Sequence, residues 1–213
     1  LPINMNCAAR TVIADVEPIV RVSGEVGVPI EAATFIGSSS IRQYAEDWTL
    51  DKMLRVSEEA VTYAVTNGLP VMYVTEDTTR ARPETLKALY GTAIRCGARR
   101  ICLADTVGFA TPSGVRALIK FVQDEIVAPS GESIKIDWHG HRDRGLGERV
   151  GNAEMDLLIV NLYLLGLHSG DLSKLHEYCQ LASESTGIPV PAQYPVVGTD
   201  AFRTATGVHA SAI

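Results

Sequence analysis

Short apolar runs rich in β-branched residues alternate along this chain with longer segments of helical period. That rhythm predicts repeated βα units and a parallel sheet. Five units can be followed. The first runs from "NMNCA" at 4–8 into a helix at 13–24, and the second strand, 28–36 in "VPIEAATFIGSSS", ends in small polar residues ahead of helical sequence at 50–67. "LPVMYVTEDTTR" is a strand opening onto Glu76, Asp77, Thr78, Thr79 and Arg80, with a helix at 83–96. "ARRICLADTVGFATPSG" places Asp105 and Thr106 at a strand end and Pro112 in the first turn of the next helix, where proline is tolerated. "SIKIDWHGH" is the fifth strand. After residue 152, "AEMDLLIVNLYLLG" reads as a helix with a wide apolar stripe, a second helix follows at 172–185, and the Pro- and Gly-rich tail is irregular.

Every polar cluster follows the apolar part of its strand. Chemistry gathered at the C-terminal ends of parallel strands suits both a closed barrel and an open doubly wound sheet. No GxGxxG or GxxxxGK[ST] follows any of these strands, which counts against the nucleotide-binding open sheets.

Composition narrows the class. The 213 residues, 46% hydrophobic and 21% charged, suffice for a substantial core. A net charge of −6 and a pI near 5.4 offer no broad attraction to phosphate backbones or anionic surfaces, so neither nucleic acid nor membrane is expected as a partner. Cys7, Cys96, Cys102 and Cys179 are scattered without CxxC spacing and read as reduced thiols. No apolar run reaches the roughly 18 residues of a membrane span, and no signal core opens the chain. A cytoplasmic protein is expected.

Side chains alternate along a strand, so Asp137, His139 and His141 share one face while Ile136, Trp138 and Gly140 share the other. Two imidazoles about 7 Å apart can bind one cation and leave positions for oxygen ligands. Of the adjacent Glu76 and Asp77, at most one easily faces a site. Asp105 and Thr106 either cap the following turn or bond a substrate carboxylate. Arg80 and Arg142 either clamp an anion or lie solvated. His209 in "TGVHASAI" has no distinguishing neighbour.

In this order, "EDTTR", "LADTVGFATP", "HGHRDRGL", "GERVGNA" and "TGVHASAI" closely resemble the 2-isopropylmalate synthase and homocitrate synthase family, of the DRE-TIM metallolyase superfamily. The resemblance implies a (β/α)8 TIM barrel, a divalent metal (Zn, Mn or Mg), and acetyl-CoA condensed with a 2-oxo acid. It implies metal ligation by His139, His141 and Asn152, a 2-oxo acid carboxylate held by Thr106, and Glu76 lining the pocket; Asp105 and Arg80 stay substrate-binding candidates from the residues themselves. It also implies an acid–base role for His209, supplied by a C-terminal subdomain, and a homodimer.

The chain departs from the family in several places. The first-strand Asp-Gly-x-Gln motif, which carries a further metal ligand and an Arg, is absent, and two βα units are expected ahead of Leu1. Between "HRDRGL" and "GERVGN" a helix and the eighth strand, on the order of twenty residues, are missing at Leu146-Gly147. The barrel is therefore expected to be incomplete: a partial catalytic barrel over 1–168 and a helical, irregular C-terminal segment over 169–213. The chain reads either as pieces of a longer chain joined at that point or as a deleted form. Ala33 stands where many isopropylmalate synthases have His, and Arg142 replaces the Asn of HxHND. The leading reading is an acyltransferase making 2-isopropylmalate from 2-oxoisovalerate in leucine biosynthesis. Homocitrate and citramalate synthase, a metal-dependent aldolase or lyase, and a non-catalytic metabolite-binding homologue are the alternatives.

Overall fold

A computed structural model describes residues 4–108, 110–140 and 154–203. The chain divides into two compact units, Leu1–Gly140 and His141–Ile213.

The first unit holds a five-stranded sheet in the order β1-β2-β3-β4-β5. Its strands are β1 (Met5–Arg10), β2 (Ile30–Gly37), β3 (Val71–Glu76), β4 (Arg100–Asp105) and β5 (Lys135–Gly140), and each pairs in parallel with the next in sequence. Between them lie α1 (Ile13–Val26), the short α2 (Ser40–Ala45), α3 (Leu50–Thr66), α4 (Pro83–Arg95) and α5 (Pro112–Val122). A π-type turn (Gln123–Val127) and a short α6 (Ala128–Ser130) continue α5. Caps start these helices where the sequence changes: the Ser39, Thr49 and Thr111 hydroxyls accept from the amides of Arg42, Lys52 and Gly114, and Pro83 and Pro112 occupy first turns.

One parity of strand positions builds the core. Ala9, Ala32, Ile36, Val71, Tyr73, Ile101 and Leu103 are buried against Val16 and Ile19 of α1, Met53 and Val61 of α3, and Leu86, Leu89 and Ile94 of α4, and Ile136 and Trp138 pack against this cluster. All the covering helices thus lie on one face of the sheet. An open doubly wound sheet reverses its strand order and carries helices on both faces, whereas sequential order with helices on one side is the wall of a barrel. The sheet is an arc of a (β/α)8 barrel.

The opposite face carries polar groups at the N-terminal end of the strands. Asn6 Nδ2 donates to Glu31 Oε2 at 2.9 Å, and Arg100 pairs with Glu31 at 3.4 Å and with Asp137 at 3.2 Å. Higher on this face, Cys102 lies beside Asp137 in register. Burial first, and the Asp137 charge second, push its thiol up to about 12, so it stays protonated at neutral pH.

The second unit holds α7 (Met155–Leu164) and α8 (Leu175–Thr186), followed by irregular chain. Tyr194 Oη and Cys179 Sγ both donate to the Asp156 carboxylate, tying these segments together. No residue of α7 is fully buried. Among the described residues no helix is long and apolar enough to cross a membrane.

Candidate active site at the C-terminal ends of the strands

Glu76 is the last residue of β3. Its neighbours Thr75 and Tyr73 face the core, so alternation sends Glu76 to the polar face. The register pairs Gly37 with Glu76, Thr75 with Leu103, and Ala104 with His139. Glu76 and His139 therefore stand at one level, two strands apart, with the small Ala104 between them. Two strand spacings put their backbones roughly 10 Å apart.

Arg42, from α2, reaches over Gly37 to pair with Glu76 at 3.4 Å and with Glu46 at 3.3 Å. A Cβ on Gly37 would lie 2.8 Å from Arg42 Nε, so glycine is what admits the arginine. The Ser38 amide and hydroxyl both donate to the Glu76 carbonyl, at 3.0 and 2.7 Å. The sequence reading did not single out Arg42 or Ser38. A six-residue helix is too short to display periodicity, and the available signal was the Ser39 cap followed three positions later by an arginine.

Three consecutive residues after β3 bind three consecutive residues at the end of β4. The Asp77 amide donates to Thr106 Oγ1 at 2.8 Å, the Ala104 amide donates to Thr78 Oγ1 at 2.8 Å, and the Thr79 hydroxyl donates to Asp105 Oδ1 at 3.2 Å. Backbone pairing of these strands ends at Thr75 and Leu103. Side-chain bonds thus continue the lattice where the ladder stops.

Asp105, 1% exposed, also accepts the Ala110 amide at 3.0 Å, so its carboxylate organises the loop beyond β4. Arg80 grips Asp77 through two bonds of 2.7 and 2.6 Å, and this bonding raises the guanidinium pKa. Asp77 is 2% exposed and left-handed, with φ 58°. Behind it, Thr75 bonds the buried Tyr90 hydroxyl at 2.6 Å, and Tyr90 donates to the Cys102 carbonyl at 2.8 Å. Burial drives the Tyr90 phenol pKa upward.

Glu76, Thr106 and His139 are brought to the polar end of the sheet, while Arg80 and Asp105 are engaged within the turns beside it. His141, Asn152 and His209 lie outside the described residues, as do Arg142, Asp143 and the Leu146-Gly147 junction. Among the described residues no three His, Cys, Asp or Glu side chains form a cation cluster. The described share of the expected ligand set is His139, on the polar face at the strand end. Imidazole together with a second imidazole and an amide oxygen suits a divalent ion.

Comparison with known proteins agrees with this architecture. Residues 4–147 match the HMGL-like family model. The chain is 34% identical to homocitrate synthase of Sulfolobus acidocaldarius, over 89% of this chain and 45% of that protein. It is 33% identical to a probable 2-isopropylmalate synthase of Ignicoccus hospitalis, over 82% of this chain and 49% of that protein. The alignment with homocitrate synthase of Methanopyrus kandleri runs over 235 residues, more than the 213 present here, so that relative has internal residues without counterparts in this chain. The chain spans about half the length of the curated relatives it matches. The HMG-CoA lyase of Bacillus subtilis has the same fold, with a TM-score of 0.67 at 16% identity, covering 87% of this chain and 71% of that one. Five parallel strands in sequential order, polar residues at their C-terminal ends and a family match across all five place this chain in the HMGL-like family.

Proposed function

We propose that this chain carries active-site strands of an acyltransferase that condenses acetyl-CoA with a 2-oxo acid and hydrolyses the resulting thioester. The observation that carries the reading is the placement of Glu76, Thr106 and His139 together at the strand ends of an HMGL-like barrel arc. The relatives named above, a homocitrate synthase and a probable 2-isopropylmalate synthase, support this reaction class. Within it, 2-oxoisovalerate is the acceptor proposed, giving 2-isopropylmalate. The homocitrate synthases among the relatives favour 2-oxoglutarate as the rival.

His139, His141 and Asn152 would hold a divalent cation, which supplies Lewis-acid polarisation of the acceptor carbonyl when bound. The protein's own groups account for the rest. The Thr106 hydroxyl donates to the 2-oxo acid carboxylate, and Glu76, its charge offset by Arg42, lines the gap facing His139. A thioester methyl is a weak acid, so a positioned base is required, and His209 is the proposed one. A homodimer working in the cytoplasm completes the proposal.

The test is release of free CoA thiol by the purified full-length protein with Mn²⁺ and acetyl-CoA, against a panel of 2-oxoisovalerate, 2-oxoglutarate and pyruvate. Acceleration by one of them names the acceptor. No acceleration by any of them rejects the synthase reading.

A further inference from the structure

We infer that Asp77 is a positioning residue that sets the Thr106 hydroxyl as a hydrogen-bond donor toward an anionic substrate group. The inference rests on the proposed role of Thr106 in holding the 2-oxo acid carboxylate. The Asp77 amide donates to Thr106 Oγ1 at 2.8 Å, and Thr106 has no second partner among the described residues. With one lone pair taken by that N–H, the hydroxyl keeps its own proton to give. A chain from amide to hydroxyl to carboxylate oxygen then runs in one direction, and each bond polarises the next.

The amide is aimed by an uncommon backbone state. Asp77 has φ 58°, a region that aspartate and asparagine tolerate better than other non-glycine residues. The bidentate grip of Arg80 on the Asp77 carboxylate holds it there, in a site only 2% exposed. Thr78 and Thr79 fasten the flanking turn to Ala104 and Asp105, so the amide and the hydroxyl cannot drift apart independently. The carboxylate of Asp77 thus acts through the backbone: held by Arg80, it fixes the amide that sets which way the Thr106 proton points.

The experiment uses the full-length protein with Mn²⁺, titrated calorimetrically with 2-oxoisovalerate and with 2-oxoglutarate. Asp77→Ala and Thr106→Val should each weaken 2-oxo acid binding by about ten-fold or more, the scale of a lost bond to a charged group. The double variant should bind no worse than Thr106→Val alone, because the two act through one bond. Asp77→Asn, which keeps the left-handed backbone but loses the bidentate grip of Arg80, should fall between wild type and Asp77→Ala. In steady state, Asp77→Ala should raise the KM for the 2-oxo acid and leave that for acetyl-CoA in place. Losses that multiply in the double variant, or a rise in both KM values, would overturn the proposal. Amide exchange at Asp77 supplies an arm independent of substrate: it should quicken in Thr106→Val and not in Thr106→Ser, and unchanged exchange in Thr106→Val refutes the orienting bond. If wild type binds no 2-oxo acid, the functional reading falls, and the exchange arm still decides whether Asp77 orients Thr106.

Discussion

Thr78→Val is the most informative single change outside the substrate-contacting groups. The Thr78 hydroxyl is 1% exposed and stands where the next backbone acceptor of β3 would be. It accepts the Ala104 amide at 2.8 Å, donates to the Thr75 carbonyl at 2.6 Å and meets the Thr75 hydroxyl at 2.7 Å. Valine keeps the shape and removes the oxygen. A buried N–H left without a partner costs about 1–3 kcal/mol, and the lost hydroxyl bonds add about 1 kcal/mol. The expected destabilisation is therefore about 2–4 kcal/mol. Thr78→Ser keeps the oxygen and loses one methyl, which costs about 1 kcal/mol. Both tryptophans, Trp48 and Trp138, lie in the first unit, so urea unfolding followed by tryptophan fluorescence reports on the sheet that Thr78 secures. A lower midpoint with an unchanged slope is expected. The reasoning is refuted if Thr78→Val lies within about 0.5 kcal/mol of wild type, or if Thr78→Ser loses as much.

Gly97 has φ 106°, and a Cβ there would lie 2.9 Å from Val65 Cγ1; Gly97→Ala should therefore lower stability by about 1–3 kcal/mol, measured by thermal melting. The Cys102 thiol is held protonated up to about 12, against 9.0 ordinarily. Its raised folded pKa means that the unfolded thiol ionises first, so stability falls as pH rises from about 9 to about 12, by at most a few kcal/mol. Cys102→Ala should flatten that part of the curve, and parallel curves for the two proteins would contradict the burial argument. Removing divalent metal with a chelator, or replacing His139 by Ala, should lower the proposed condensation activity by about 100-fold or more, with Mn²⁺ restoring only the chelated wild type.

The strands of the first unit could be read from the chain because each is a short β-branched run bounded by turn residues. Observed β1, β2 and α4 differ from the expected segments by one or two residues. Alternation in "IDWHGH" gave the right faces for Ile136 and Trp138, which pack on the core. Asp77 was harder. Strand alternation treats it as the opposite-facing neighbour of Glu76, but the strand ends at Glu76 and the next residue turns left-handed, so its amide, and not its side chain, meets the site's Thr106. Asp105 and Thr106 were left open between capping and substrate binding. Among the described residues, Asp105 accepts from Thr79 and Ala110 in the loop, and Thr106 accepts the Asp77 amide.

The sequence by itself determined the βα rhythm, the ends of the strands at which chemistry collects, and the motifs that mark the family. These are local properties, set by hydrophobic period, turn residues and short strings. Tertiary structure alone decided that one parity of strand positions is covered by helices, that Glu76 and His139 share a level two strands apart, and that Arg42 crosses Gly37 to reach Glu76. Those outcomes depend on inter-strand register and on contacts between residues 34 or more positions apart, for which periodicity along one segment holds no signal.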